Sequence, residues 1–209
     1  MLLHMSPRVM TTLCVYCGSN AGRDPAYIRA ASSLGTALAS RGLRLVYGGG
    51  NVGLMGVLAD AVLANGGEVI GVIPQALQRA EVAHTGLTRL EVVASMHERK
   101  ARMAALADGF IALPGGFGTF DEVIEMLTWT QLGFQERSVV FLDVDGFFEP
   151  LLTMFDRARD AGFLRPAHRM LAQRARGVDE AIALALAPAP ATTHKWLDRD
   201  RTPEPRRDV

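Results

Sequence analysis

An excess of charge is missing from this sequence. Lys+Arg and Asp+Glu both number 22, so the formal net charge is zero. Nothing in that balance points to a nucleic-acid or membrane-surface binder. Long apolar runs are missing as well, and no stretch approaches the roughly 20 residues of a membrane helix. Between Met1 and Met10 the apolar pair Leu2-Leu3 is too short for a signal-peptide core, so a cytoplasmic location is expected. Cysteine is nearly absent: Cys14 and Cys17 are the only two. Their C-x-x-C spacing could suggest a redox or zinc motif. Both fall in a strand-like run, where residues three apart point to opposite faces, and no other cysteine could complete a zinc site. They read as small apolar residues. His84 and His168 have no partners at metal spacing, and neither a catalytic metal nor an organic cofactor is expected.

Apolar strand-like runs and amphipathic helix-like runs alternate along the 209 residues, which suffice for one α/β domain. Strands are expected at 13–17, 43–47, 68–73, 90–93, 110–113 and 138–142. Helices are expected at 25–40, 54–64, 96–107, 119–132, 148–160 and 178–186. Short connections between them imply a parallel sheet with helices on both faces. The expected organisation is a short extension over residues 1–10, a single domain over 11–187, and a Pro-, Ala- and charge-rich tail over 188–209. That tail reads as mobile, with Trp196 as a possible anchor.

Three glycine loops follow strands. Cys17-Gly18-Ser19-Asn20 is the first. The second, Gly48-Gly49-Gly50-Asn51-Val52-Gly53, satisfies G-x-G-x-x-G. That motif needs an acid at the end of the next strand to hold a ribose. Glu68 has about the right spacing but stands at the start of the strand, so a dinucleotide is disfavoured. The third loop, Pro114-Gly115-Gly116-Phe117-Gly118-Thr119, leads into a helix. Glycines there let the backbone approach an anion, and amide N–H groups and the helix dipole favour negative charge. All three loops lie at the strand ends where open α/β sheets bind ligands.

Glu122 follows the third loop and has two readings. Thr119-Phe120-Asp121-Glu122 fits a capping box, with Thr119 as N-cap. Alternatively, a carboxylate beside an anion cradle points to acid–base or cation-stabilising chemistry. Asp121 and Glu125 read as dipole and surface carboxylates. The cations come from Ser95 to Met103, where Met96, Arg99, Lys100 and Met103 share one helical face. His97 reads as a surface or supporting residue.

The segments V-Y-C-G-S (15–19), Y-G-G-G-N-V-G-L-M-G (47–56), M-H-E-R-K (96–100) and P-G-G-F-G-T-F-D-E (114–122) together resemble the Lonely Guy family, the cytokinin riboside 5′-monophosphate phosphoribohydrolases long labelled lysine decarboxylase-like. The resemblance runs from about Thr12 to Leu186. Phe120-Asp121 stands where many relatives have Leu-Glu, and Glu122 is kept. The resemblance implies a Rossmann-like, doubly wound α/β fold and homodimers, some of which assemble further. It implies hydrolysis of the N-glycosidic bond of nucleoside 5′-monophosphates, including prenylated AMP and AMP itself, to free base and ribose 5-phosphate. Arg99 and Glu122 would be catalytic. Gly115, Gly116, Phe117, Gly118 and Thr119 would hold the phosphate, with Gly18, Ser19, Gly49, Gly50, Met96 and Lys100 as further substrate-binding candidates. The Met96/Met103 stripe is expected to face a second subunit. The alternative from another class is a nucleotide-binding sensor or carrier without catalysis. Lysine decarboxylation needs pyridoxal phosphate on a lysine. Lysines are few, and Lys100 carries no pyridoxal signature.

Overall fold

The computed structural model describes residues 10–78 and 83–192. Trp196 and most of the tail therefore lie outside the described residues. Seven strands form one parallel sheet in the order β4-β3-β2-β1-β5-β6-β7. They are β1 Thr12–Tyr16, β2 Arg44–Tyr47, β3 Val69–Pro74, β4 Arg89–Val93, β5 Gly109–Ala112, β6 Val139–Leu142 and β7 Ala172–Ala175. The helices are α1 Pro25–Ser40, α2 Gly53–Ala64, α3 Met96–Leu106, α4 Phe117–Leu132, α5 Glu149–Asp160, α6 Pro166–Arg169 and α7 Val178–Leu186.

The chain walks outward from β1 to β4, then crosses back to β5 and walks the other way. The reversal falls between β1 and β5, which pair from Leu13 with Gly109 to Tyr16 with Ala112. Adjacent loops diverge at that point and leave a crevice at the C-terminal edge of the sheet.

Strands buried on both faces need apolar residues at every position, and TLCVY, VIGVIP and VVFL supply them. One core layer packs Leu13, Val15 and Cys17 against α1, α2 and α7. The other packs Cys14 and Tyr16 against α3, α4 and the start of α5. The two cysteines thus sit on opposite faces, as the strand period requires.

Two elements escape the sequence reading, α6 and β7. β7 is the edge strand Ala-Gln-Arg-Ala, too short and polar to stand out. Pro25 opens α1 behind Asp24, whose carboxylate accepts from the Ala26 N–H at 2.8 Å. α3 is capped by Ser95, whose hydroxyl accepts from the Glu98 N–H, while the Glu98 carboxylate accepts from the Ala94 N–H. That reciprocal cap went unread in the sequence, although S-x-x-E is its signature.

The capping box expected at Thr119 does not form. α4 begins two residues earlier, with Gly116 as its N-cap and no side-chain cap. Glycines at 116 and 118 disguise the first turn, because both are poor helix formers. Glu122 consequently lies in the second turn, beyond the reach of a capping role.

Met103 also departs from expectation. It is fully buried between α3 and the sheet and cannot face a second subunit. Met96, two turns earlier on the same helix, is partly exposed.

Candidate functional site

A cavity of about 360 Å³ opens at the switch point, within the roughly 300–1,000 Å³ of small-molecule sites. Its floor is built from the ends of β1, β2 and β5. The Gly18 N–H donates to the Pro114 carbonyl at 3.0 Å, and the Leu54 N–H donates to the Gly18 carbonyl at 3.1 Å. The first loop is therefore bonded to both of the others. Gly18 has no room for a side chain, since a Cβ would stand 2.9 Å from the Asn20 carbonyl and 3.2 Å from Gly115 Cα. Gly53, at φ +60°, lets α2 start directly against the Ser19 backbone. Only glycine adopts that conformation cheaply.

The first turn of α4 forms one wall. No side chain caps it, so its leading N–H groups have no side-chain acceptor, and Gly116 to Thr119 line the cavity. Cβ positions at Gly116 and Gly118 would meet nothing within 4 Å, so space lies open above that turn. Phe117 between them is 93% exposed and lines the mouth. Thr119 is buried beneath, against Gly115.

Glu122 and Arg99 line the same cavity at 7% and 5% exposure. Arg99 donates through Nη2 to the Gly48 carbonyl at 3.0 Å, and its Nη1 lies 3.8 Å from Met96 Sδ. Both charges are felt at the end of β1. Burial pushes the Cys17 thiol well up, the Glu122 carboxylate pushes it further, and the Arg99 guanidinium pulls it back. Tyr27 and Phe147, packed edge to face with centroids 5.8 Å apart, close the far side. Neither was singled out from the sequence, because nothing local distinguishes a wall aromatic from a core one. Leu54, Met55 and Leu77 add apolar surface.

Of the candidate residues, Gly18, Ser19, Met96, Arg99, Gly115 to Thr119 and Glu122 come together here. Gly49, Gly50 and Lys100 do not line the cavity. Gly49, at φ +79°, packs against Ile73 and Leu90. The Gly50 carbonyl accepts from the Tyr47 hydroxyl at 3.1 Å. Lys100 turns away to Asp121 at 2.9 Å and Glu125 at 3.2 Å. Burial works against its charge, yet those two carboxylates hold its pKa above the ordinary lysine value. Asp121 and Glu125 are thus bound partners rather than plain surface acids. His84 is buried and bridges Asp60 at 3.0 Å and the Gly86 N–H at 3.1 Å, while His97 is exposed. Glu68 bonds Arg44 at the opposite edge of the sheet, far from any ribose-holding position.

This constellation combines an uncapped helix N-terminus, a buried carboxylate and a buried guanidinium on one cavity. It can anchor an anion, stabilise positive charge nearby and orient a water. The family described as "Possible lysine decarboxylase" matches residues 55–185. A probable cytokinin riboside 5′-monophosphate phosphoribohydrolase of Oryza sativa subsp. japonica is 50% identical over 159 residues, 76% of this chain and 71% of that protein. A cytokinin riboside 5′-monophosphate phosphoribohydrolase of Arabidopsis thaliana is 48% identical over 159 residues, covering 76% and 73%. Among solved structures, the molybdenum cofactor carrier protein of Chlamydomonas reinhardtii has a TM-score of 0.64 at 24% identity, covering 83% of this chain and 94% of that one. The molybdenum cofactor binding protein of Rippkaea orientalis gives 0.64 at 22%, covering 86% and 96%. At those identities the likeness concerns the fold alone.

Proposed function

The chain belongs to the Lonely Guy family of cytokinin riboside 5′-monophosphate phosphoribohydrolases, and we propose from that premise how its cavity works. The protein is an N-glycosyl hydrolase that releases the free base and ribose 5-phosphate from cytokinin riboside 5′-monophosphates. AMP, which carries the same phosphoribosyl unit, is accepted too. The observation that carries this reading is the placement of Glu122 and Arg99 on the cavity that the bare first turn of α4 opens into.

In this reading the 5′-phosphate sits on the N–H groups of the 115–119 loop, where helix dipole and glycine backbone favour it. Its binding energy positions the sugar carbon that bears the base. As the C–N bond breaks, positive charge grows on the ribosyl ring, and Glu122 lies at hand to stabilise it. The same carboxylate orients the water and takes its proton. The water oxygen bonds to the sugar carbon, the electron pair of the broken bond leaves with the base, and the proton taken up by Glu122 passes on to the base, which restores the carboxylate. Arg99 stays charged throughout and fixes phosphate or sugar oxygens in a planar geometry.

A carrier without chemistry is less well supported, since a carrier needs the cradle but no carboxylate buried beside it. The protein works as a cytoplasmic homodimer, an assembly that light scattering checks. Among the described residues no helix is long and apolar enough to cross a membrane. The functional test is a panel of nucleoside monophosphates, including prenylated AMP, assayed for free base. Equal amounts of base and ribose 5-phosphate are expected. Absence of base from every member refutes the proposal.

A further inference from the structure

The glycine motif that opens α2 remains unexplained by phosphate binding, because Gly49 and Gly50 do not reach the cavity. Gly48 does. Its carbonyl, just past the end of β2, accepts from Arg99 Nη2 at 3.0 Å in a buried contact. A Cβ built on Gly48 would collide with Nη2, and would lie 3.1 Å from Arg99 Cζ and 3.2 Å from Met55 Sδ. Gly48 is absent from the glycines at positive φ. Its backbone would accept any residue, so glycine is required here for space and not for conformation.

We propose that Gly48 is the positioning residue for Arg99: its carbonyl and its missing side chain form a seat that holds the guanidinium over the cavity, with Nη1 beside the Met96 thioether. The motif that resembles a dinucleotide fingerprint thereby serves an arginine. The inference rests on the reading of Arg99 as part of a phosphoribohydrolase site. A buried guanidinium must direct its N–H groups to acceptors. A backbone carbonyl meets that need with a dipole and adds no negative charge of its own to a site that takes an anionic substrate. Gly53, five residues on, serves the same loop differently, by letting α2 press on the Ser19 backbone.

The test is a double-mutant cycle on Gly48→Ala and Arg99→Ala. The atom nearest the new methyl is the far end of a long side chain, so the arginine moves and the backbone stays. Gly48→Ala should keep its circular dichroism spectrum and lose kcat/KM for AMP by about 10²-fold, the scale of a displacement of about an ångström in a positioned group. In the Arg99→Ala background the same change should cost less than twofold. Full additivity, or wild-type kcat/KM in Gly48→Ala, overturns the proposal. A second measurement needs no turnover. In the wild type, the Arg99 Nη signals, assigned by their loss in Arg99→Ala, should be resolved in nitrogen NMR because the seat restricts rotation of the guanidinium. A single averaged signal overturns the seat. A wild type that releases no base sinks the enzymatic reading, while the NMR result still decides the seat.

Discussion

Lys100 Nζ lies 2.9 Å from the Asp121 carboxylate and 3.2 Å from that of Glu125. The residue after Arg99 is thereby bonded to the residue before Glu122. This strut ties α3 to α4 and fixes the spacing of the two side chains that face the cavity. Lys100→Met should lower kcat and also the melting temperature, by about 4–8 °C for a loss of about 2 kcal/mol in a chain of this size. The pH dependence follows from the raised pKa of Lys100. Its contribution is fully present below the unfolded lysine value of about 10.4 and is lost as pH rises through the higher folded value. Alkaline melting curves of wild type and Lys100→Met should therefore converge; a constant gap up to the end of the titration contradicts the strut.

Glu122→Gln should keep the fold and lose nearly all base release. Glu122 stands in the second turn of α4, outside the cap positions, and glutamine keeps its size and shape. The loss should appear in kcat with an unchanged melting temperature. Wild-type turnover would remove the carboxylate from the reaction.

Nucleoside 5′-monophosphates should be cleaved far faster than the matching nucleosides, because in the proposed reading the phosphate sits on the turn at Gly116 to Thr119, which no side chain caps. Comparable kcat/KM for AMP and adenosine would show that this turn binds something else.

Met103→Glu should abolish folding and not merely assembly. Met103 is fully enclosed between α3 and the sheet, and an unpaired carboxylate there is strongly unfavourable. Insoluble expression is expected. A soluble, well-folded monomer would mean that the residue faces outward after all.

Acid stability offers a further check. The Arg102 guanidinium, 2.6 Å from the Glu91 carboxylate, holds the Glu91 pKa below its ordinary value. This ion pair ties β4 to α3. Its contribution is present above the unfolded glutamate value of about 4.3 and is lost as pH falls through the lower folded value. Arg102→Gln should lower stability at pH 7 and match wild type at the acid end of the titration. A difference that persists at the lowest pH would assign the effect to packing.

The sequence carried most of this architecture. Buried parallel strands such as Val69–Pro74 are apolar throughout, and Pro25 after Asp24 marks a helix start. β7 stayed hidden because this edge strand buries only its two terminal alanines around a polar Gln-Arg pair, and Ala-Gln-Arg-Ala has no run to notice. In the site, Arg99 and Lys100 are adjacent and both buried, and helical periodicity places them on one face. Which of them turns to the cavity depends on Asp121 and Glu125, twenty-one and twenty-five residues later in the chain, and no local pattern encodes that choice. The start of α4 is hard to read for a similar reason: glycines at 116 and 118 weaken the helical signal in its first turn, which no side chain caps.

The floor of the cavity is made of main chain. The Gly18 N–H meets the Pro114 carbonyl, the Leu54 N–H meets the Gly18 carbonyl, and Gly53 presses on the Ser19 backbone. Contacts of this kind need Gly18 and Gly53 to stay bare but ask little of the side chains at the rim. Exchanges at rim positions such as Ser19, Asn20, Leu77 and Phe117 can therefore accumulate over generations without unsettling the platform beneath. On the proposed function, one inherited scaffold can in this way explore many different bases while the main-chain floor that would hold the phosphoribosyl half stays unchanged.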